Sequence, residues 1–458
     1  MPRLFAILTV ILCLASNCLA QQTPPVLPKM TETPIPPAVE LPAPPSIPED
    51  VPNRPLTAEE AVQIALRHQP DISVARAGVS AAEGRLQGTR AGRSPSLTVG
   101  AGHTSLDSNG ASTSGGVSVG GSSIGSQGYQ LSATVRQLLF DFDHTRDLVR
   151  QASAEQRSAS ADLTRAQSDL AFFVKQSFYS YVQNARLVEV NEADIRSRQG
   201  QLDLAQARLR AGVGLPSDVV RAETARAEAI FGLNLARASA SVSRVLLAEL
   251  MGIDPRTPIL AADSEEPAVP AQDVDALVLQ ALRQRPEIVQ AESDREAAGH
   301  GLSAARSGNS PSLGASVGWL QRGSTPAFDS RSLSVGLAIT WSAFDSGLTT
   351  GRIREAAAGL QSAQAQAESV RLAVISDVSQ AFLNLKTSEQ RVTTSEAEVA
   401  NATEGVRLTE GRYRGGLGTF LEVLDAQTAL VTANMNRINA ISAVNQARSA
   451  LVHAIGSS

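Results

Sequence analysis

Two stretches of the chain alternate strictly between apolar and small or polar residues. Leu313, Ala315, Val317 and Trp319 are separated by Gly314, Ser316 and Gly318, while Leu333, Val335, Leu337, Ile339 and Trp341 are separated by Ser334, Gly336, Ala338 and Thr340. A period of two predicts a pair of strands of roughly ten residues, the length of a transmembrane β-strand. Leu97, Val99 and Ala101, followed by Tyr129, Leu131, Ala133 and Val135, predict an earlier pair. The hairpins fall at about 97–140 and 313–344, and a loop from Thr104 to Gly128 with 7 Gly and 8 Ser lengthens the first. Elsewhere the period is that of a helix. Leu163, Ala166, Leu170, Val174, Phe178, Tyr181, Ala185, Val188, Ile195, Leu202, Ala205 and Leu209 form one stripe, and neither Gly nor Pro occurs from Tyr129 to Gln199. Some 60 helical residues predict a rod of about 90 Å, which can cover its stripe only by packing against other helices.

The same order of patterns occurs twice. Ala65-Leu66-Arg67, Pro70-Asp71-Ile72, Leu86 and Ser94-Pro95-Ser96-Leu97 recur 216 positions later as Ala281-Leu282-Arg283, Pro286-Glu287-Ile288, Leu302 and Ser310-Pro311-Ser312-Leu313. Beyond the strands the offset is 204: Phe140-Asp141 answers Phe344-Asp345, and Arg208, Arg210, Gly212, Gly214 and Val219 answer Arg412, Arg414, Gly416, Gly418 and Val423. A duplicated unit is expected at 56–253 and 273–458. Each copy runs as a helix (about 56–92 and 273–308), a hairpin, a long helix, a glycine-bearing turn and a shorter returning helix. Prolines 255, 258, 267 and 270 mark a linker at 254–272.

Residues 1–20 carry Arg3, an apolar run from Leu4 to Leu14 and Cys18-Leu19-Ala20, the order of a secretory signal peptide, with cleavage expected after Ala20. That run is too short to span a membrane, and Asn17 is a poor neighbour for lipidation of Cys18. Both cysteines, Cys13 and Cys18, fall in this segment, so the mature chain is expected to hold no disulfide or cysteine metal site. Residues 21–55 contain 12 of the 23 prolines and are expected to be extended. Of 458 residues only 17 are aromatic, 69 are alanine and three are lysine, and the net charge is −5. Such a chain offers neither a large enzyme core nor a basic surface for nucleic acid.

Four strands per chain cannot close a barrel, and lipid cannot satisfy an open sheet edge. Copies of the chain must therefore combine. Two would give a barrel of eight strands filled by its own side chains, whereas inward Gly, Ser, Ala and Thr suit the open lumen of three chains and twelve strands.

The ordered motifs are Ala-Leu-x-x-x-Pro-Asp/Glu-Ile, Ser-Pro-Ser-Leu, Phe-Asp after the second strand and Gly-x-x-x-x-x-Asp/Glu-Val at the helical turn. From about Leu56 to the C-terminus this order resembles the TolC family of outer-membrane efflux and secretion channels. The resemblance implies a mainly α protein with a membrane β-barrel: a homotrimer whose 12-stranded barrel continues into a periplasmic α-helical coiled-coil barrel. It implies a passive export duct, not an enzyme, without cofactor, embedded in outer-membrane lipid. Its partners would be a periplasmic adaptor (membrane fusion) protein and an inner-membrane RND, MFS or ABC transporter. Small-molecule efflux and type I protein secretion use the same duct.

Carried over residue by residue, the resemblance implies a periplasmic gate at Asp218, Tyr413, Glu422 and Asp425. Tyr413 would meet Asp218 of the other repeat, and Glu422 and Asp425, three apart on one helix, would form an acidic ring; a solvated helix face is the plainer reading of those two. The family's latch arginine falls on Gly418, so the charged part of the latch is expected to be missing. Adaptor contacts would fall on Ala211-Gly212-Val213 and Gly415-Gly416-Leu417, where the glycines are also what a tight helical turn needs.

Other signals weigh less. Gly116-Val117-Ser118-Val119-Gly120 matches a nucleophile elbow but sits in the Gly/Ser loop, without the strand and helix that motif requires. His68, His103, His144, His300 and His453 show no metal-ligand spacing. Tyr129, Phe140, Trp319 and Trp341 suit an aromatic belt. A non-channel periplasmic coiled-coil scaffold is the alternative, but it would have no use for the two hairpins.

Overall fold

The computed structural model describes residues 54–106, 126–268, 273–323 and 329–457. The expected signal segment, nearly all of the proline-rich segment, the centre of the first hairpin loop and the Gly116–Gly120 match lie outside the described residues. The first repeat comprises α1 (Ala58–His68), α2 (Pro70–Ala91), β1 (Ser96–Leu106), β2 (Ser126–Phe140), α3 (His144–Arg210) and α4 (Pro216–Leu250). The second comprises α5 (Val274–Gln284), α6 (Pro286–Ser307), β3 (Ser312–Gly323), β4 (Ser330–Thr340), α7 (Leu348–Arg414) and α8 (Phe420–Ala454). Corresponding helices have equal lengths of 11, 22, 67 and 35 residues.

The single helix expected at the start of each repeat is two helices. Gln69 and Arg285 have extended backbone, because Pro70 and Pro286 disfavour helix in the residue before them and then serve as the first residue of the next helix. The strands also reach further than expected, so Thr104 to Leu106 and Ser126 to Gly128 belong to β1 and β2 and not to the loop. The long helices exceed the expected 60 residues, and 67 residues extend about 100 Å. Each starts from a tight reversal after the Phe-Asp pair. Asp141 accepts a hydrogen bond from Thr145 N at 2.8 Å, and Asp345 accepts one from Thr349 N at 2.8 Å, so both aspartates cap free helical N–H groups.

The sheet is antiparallel in the order β1-β2-β3-β4. Residues paired across it share a face, and the pairs Leu97–Val135, Val135–Val317, Val317–Val335, Val99–Ala133, Ala133–Trp319 and Trp319–Leu333 build an apolar one. The opposite face carries Gly100, Ser132, Thr134, Gly318, Ser334 and Gly336. There the Ser132 and Ser334 hydroxyls donate to the carbonyls of Gly100 and Gly318 at 3.3 and 3.2 Å. Among the described residues, strands β1 and β4 each leave one edge unpaired within the chain.

The helical cores repeat as the sequence does. Ala65, Val174 and Leu247 anchor one cluster, and their equivalents Ala281, Val378 and Leu451 anchor the other. Between them the described part of the expected linker, 254–268, is a packed joint. Leu56 pairs with Ala261, and Thr257 and Ile259 are buried. Glu266, only 4% exposed, accepts from Lys175 Nζ at 2.9 Å and Tyr179 Oη at 2.7 Å, while its N–H donates to Asn445 Oδ1 at 3.2 Å. Burial works against the Lys175 charge, but the Glu266 carboxylate outweighs it and holds that ammonium above its ordinary pKa.

Candidate functional site

The helical turns at 211–215 and 415–419 are built alike. Val213 N bonds Arg208 O at 3.0 Å and Leu417 N bonds Arg412 O at 2.8 Å, the six-to-one closure that satisfies the last helical carbonyls. Gly212 and Gly416 take φ of 72° and 74°, a left-handed conformation that side chains resist. This geometry turns the next side chain outward, leaving Val213 67% and Leu417 78% exposed. The four turn residues singled out by the resemblance thus divide into two that shape the loop and two that present apolar surface.

Beside the turns, Tyr413 is buried with Leu202, Ala205, Ala222, Phe420 and Val423. Its hydroxyl lies 3.2 Å from Asp218 Oδ2, across the two repeats. Burial, with the Asp218 carboxylate adding to it, raises the Tyr413 pKa, so the hydroxyl stays protonated and donates. Arg208, from the last turn of α3, was not among the expected residues. Its Nη1 donates to the Tyr413 carbonyl at 2.9 Å and the Arg414 carbonyl at 3.2 Å, and its guanidinium lies 4.6 Å from the centre of the Tyr413 ring. A cation is thereby set on the C-terminus of α7 and on an aromatic face at once. Charge therefore does join the two hairpins, although Gly418 carries none. A Cβ at Gly418 would stand 3.1 Å from Arg412 Cβ, so that position has little room for a longer side chain.

The acidic pair divides. Glu422 is the N3 member of a capping box: its N–H bonds Thr419 Oγ1 at 3.3 Å, its carboxylate accepts from Thr419 N at 3.3 Å, and Arg412 lies 3.5 Å away. Asp425 is exposed and makes no hydrogen bond or ion pair among the described residues. Glu422 accordingly starts α8, whereas Asp425 presents a free charge.

The aromatic residues also separate. The tilted rings of His103 and Tyr129 meet at 4.5 Å near one end of the sheet, and Phe140 and Phe142 meet at 4.8 Å near the other, where Trp341 Nε1 donates to Asn309 O at 3.1 Å. Trp319 stands inside β3, away from either end. Among the described residues no helix is long and apolar enough to cross a membrane, and no group of three His, Cys, Asp or Glu is placed to hold a metal ion.

A sheet with one apolar and one small polar face, continued by paired 67-residue helices, is a segment of the wall of a channel. The sequence model of the family described as outer membrane efflux protein matches residues 61–253 and 277–457, once per repeat. The chain is 26% identical over 337 residues to the outer membrane efflux protein BepC of Brucella suis, covering 72% of each. It is 27% identical over 389 residues to protein CyaE of Bordetella pertussis, covering 83% of this chain and 79% of that protein. The crystal structure of VceC from Vibrio cholerae superposes with a TM-score of 0.74 at 23% identity, covering 87% of this chain and 96% of that one. The chain belongs to the outer membrane efflux protein family, the TolC-type channels, whose members are transport proteins and not enzymes.

Proposed function

We propose that three copies of this chain form an export duct from the periplasm through the outer membrane. The carrying observation is an interface that the chain makes once and leaves unmade once. The two repeats meet through β2 on β3, α3 on α6 and α3 on α8. Shifted by the repeat offsets, these contacts become β4 on β1, α7 on α2 and α7 on α4, and among the described residues none of them runs along the elements within one chain. The turns of α4 and α7 do touch, through Asp218 and Tyr413. A neighbouring copy supplies the missing set, and three copies satisfy every edge.

Side-chain chemistry supports this assignment. On α8, Asn439 and Gln446 face α3, bonding Gln183 at 2.7 Å and Ser180 at 3.2 Å. Their equivalents on α4 are Leu235 and Val242, which are exposed, as is Phe231 at 72%. Exposed Leu372 and Leu383 on α7 offer the complementary apolar surface. The α4 face offered to a neighbouring chain is thus apolar where the equivalent α8 face, used within the chain, is polar.

At the periplasmic end Tyr413, Asp218 and Arg208 hold the hairpins together, and Asp425 with Glu422 lines the constriction. Val213 and Leu417 give an adaptor protein its apolar contacts, and an RND, MFS or ABC transporter stands behind the adaptor. Residues 1–20 serve as the signal for export. Planar-bilayer recording of the purified assembly tests the duct: small, cation-selective channels are expected. Glu422→Gln with Asp425→Asn should weaken selectivity and keep assembly, because glutamine still closes the capping box. A purified protein that is monomeric and inserts no channels would refute the reading.

A further inference from the structure

We propose that the barrel lumen carries a ring of arginines, one Arg136 from each copy, that binds polyvalent oxyanions such as phosphates and sulfonates. The proposal rests on the trimeric channel reading. The four strands contain Arg136, Arg322 and Arg331 but no Asp, Glu or Lys. Arg136 pairs with Ser96 and Ser316, which puts it on the face of Gly, Ser and Thr that lines the lumen. Arg331 pairs with Gln321, which in turn pairs with Leu131, and so faces lipid. Arg322 also lies on the lumen face but near the rim, close in sequence to Asp329, which already has an interaction of its own.

Among the described residues no counter-charge reaches Arg136. It is exposed, and its guanidinium makes no hydrogen bond or ion pair among the described residues. The carboxylates that follow it in the chain are engaged elsewhere. Asp141 caps at Thr145, Asp143 pairs with Arg146 at 3.5 Å, Asp147 pairs with Arg150 at 3.4 Å, and Asp345 caps at Thr349. Three guanidiniums at one level of a closed barrel would therefore face water without partners. A low-dielectric wall concentrates their field, and the planar fork of each matches an oxyanion. The duct would then be acidic at its periplasmic constriction and basic in its membrane barrel, so an anionic group that passes the constriction is held on the extracellular side of it.

Inorganic tripolyphosphate is the probe. It is added to each chamber of a planar bilayer at low salt, and its binding to the detergent-purified assembly is measured in parallel by calorimetry. Wild-type current should be blocked more strongly from the barrel side, and both block and binding should fade at high salt as screening shortens the Debye length from about 10 Å at 0.1 M to about 3 Å at 1 M. Arg136→Gln should weaken the apparent affinity at least tenfold, Arg136→Lys should retain part of it, and lipid-facing Arg331→Gln should leave it unchanged. Equal binding by wild type and Arg136→Gln would overturn the proposal, as would a wild-type assembly that binds no tripolyphosphate. A wild-type protein that forms no channel at all would instead overturn the underlying channel reading.

Discussion

Arg208 and Arg412 occupy equivalent positions in the two repeats yet act differently. Arg412 stays within its own turn, near Glu422 and the Leu417 carbonyl, whereas Arg208 crosses to the end of α7. Repetition made the two look interchangeable, so the sequence marked where the turns lie without showing which arginine joins them. The glycines were legible because a left-handed turn residue has few alternatives. Replacing Arg208 by Ala removes two charge-assisted hydrogen bonds and a cation–π contact, about 2–3 kcal/mol of gross contact on one side of the closed turn. Single-channel recording should then show larger or more frequent openings than wild type while the assembly stays intact, and unchanged conductance would remove Arg208 from the gate. A structural cost is expected at Gly214, where an added Cβ would meet Leu209 N at 2.7 Å. Gly214→Ala should lower stability by about 1–3 kcal/mol, as read by denaturant melting of the assembly.

Among the elements, strands and long helices were legible because period and length agree: a ten-residue alternation and a sixty-residue helical stripe each admit one structure. The segment at 254–268 was not. Its prolines read as a linker, but Glu266 is buried through Lys175, Tyr179 and Asn445, residues distant in sequence that only the fold assembles. Glu266→Ala leaves the Lys175 ammonium, itself 15% exposed at the side chain, with the more exposed Glu59 as its one carboxylate partner among the described residues. Thermal or chemical melting should show a loss of about 3–5 kcal/mol, the cost of breaking a buried pair from one side; a change below about 1 kcal/mol would mean the joint adds little. The loop joining β1 to β2 should behave oppositely. Deleting about twelve residues within 107–125 brings it near the length of the β3–β4 connection, and loop closure entropy changes slowly with length. Assembly should survive, as judged by heat-modifiable mobility on gels, and its loss would give the loop a structural role.

For the whole molecule, duplication is the main constraint. The same offsets that relate the two copies of sequence also relate the two hairpin registers, since Ser96–Arg136 in the first becomes Ser312–Thr340 in the second. Applied to the β2–β3 pair Val135–Val317, they assign Ile339 of β4 to the position opposite Ala101 of β1 in the next copy. The expected mature chain contains no cysteine, so Ile339→Cys with Ala101→Cys provides a single engineered cross-link. On oxidation the double variant should run on denaturing gels as a covalently closed trimer, whereas either single variant should remain monomeric. Cross-linking confined to dimers, or none at this register while pairs shifted by two residues react, would contradict the account that the second repeat of one copy meets the first repeat of the next as the two repeats meet within a chain.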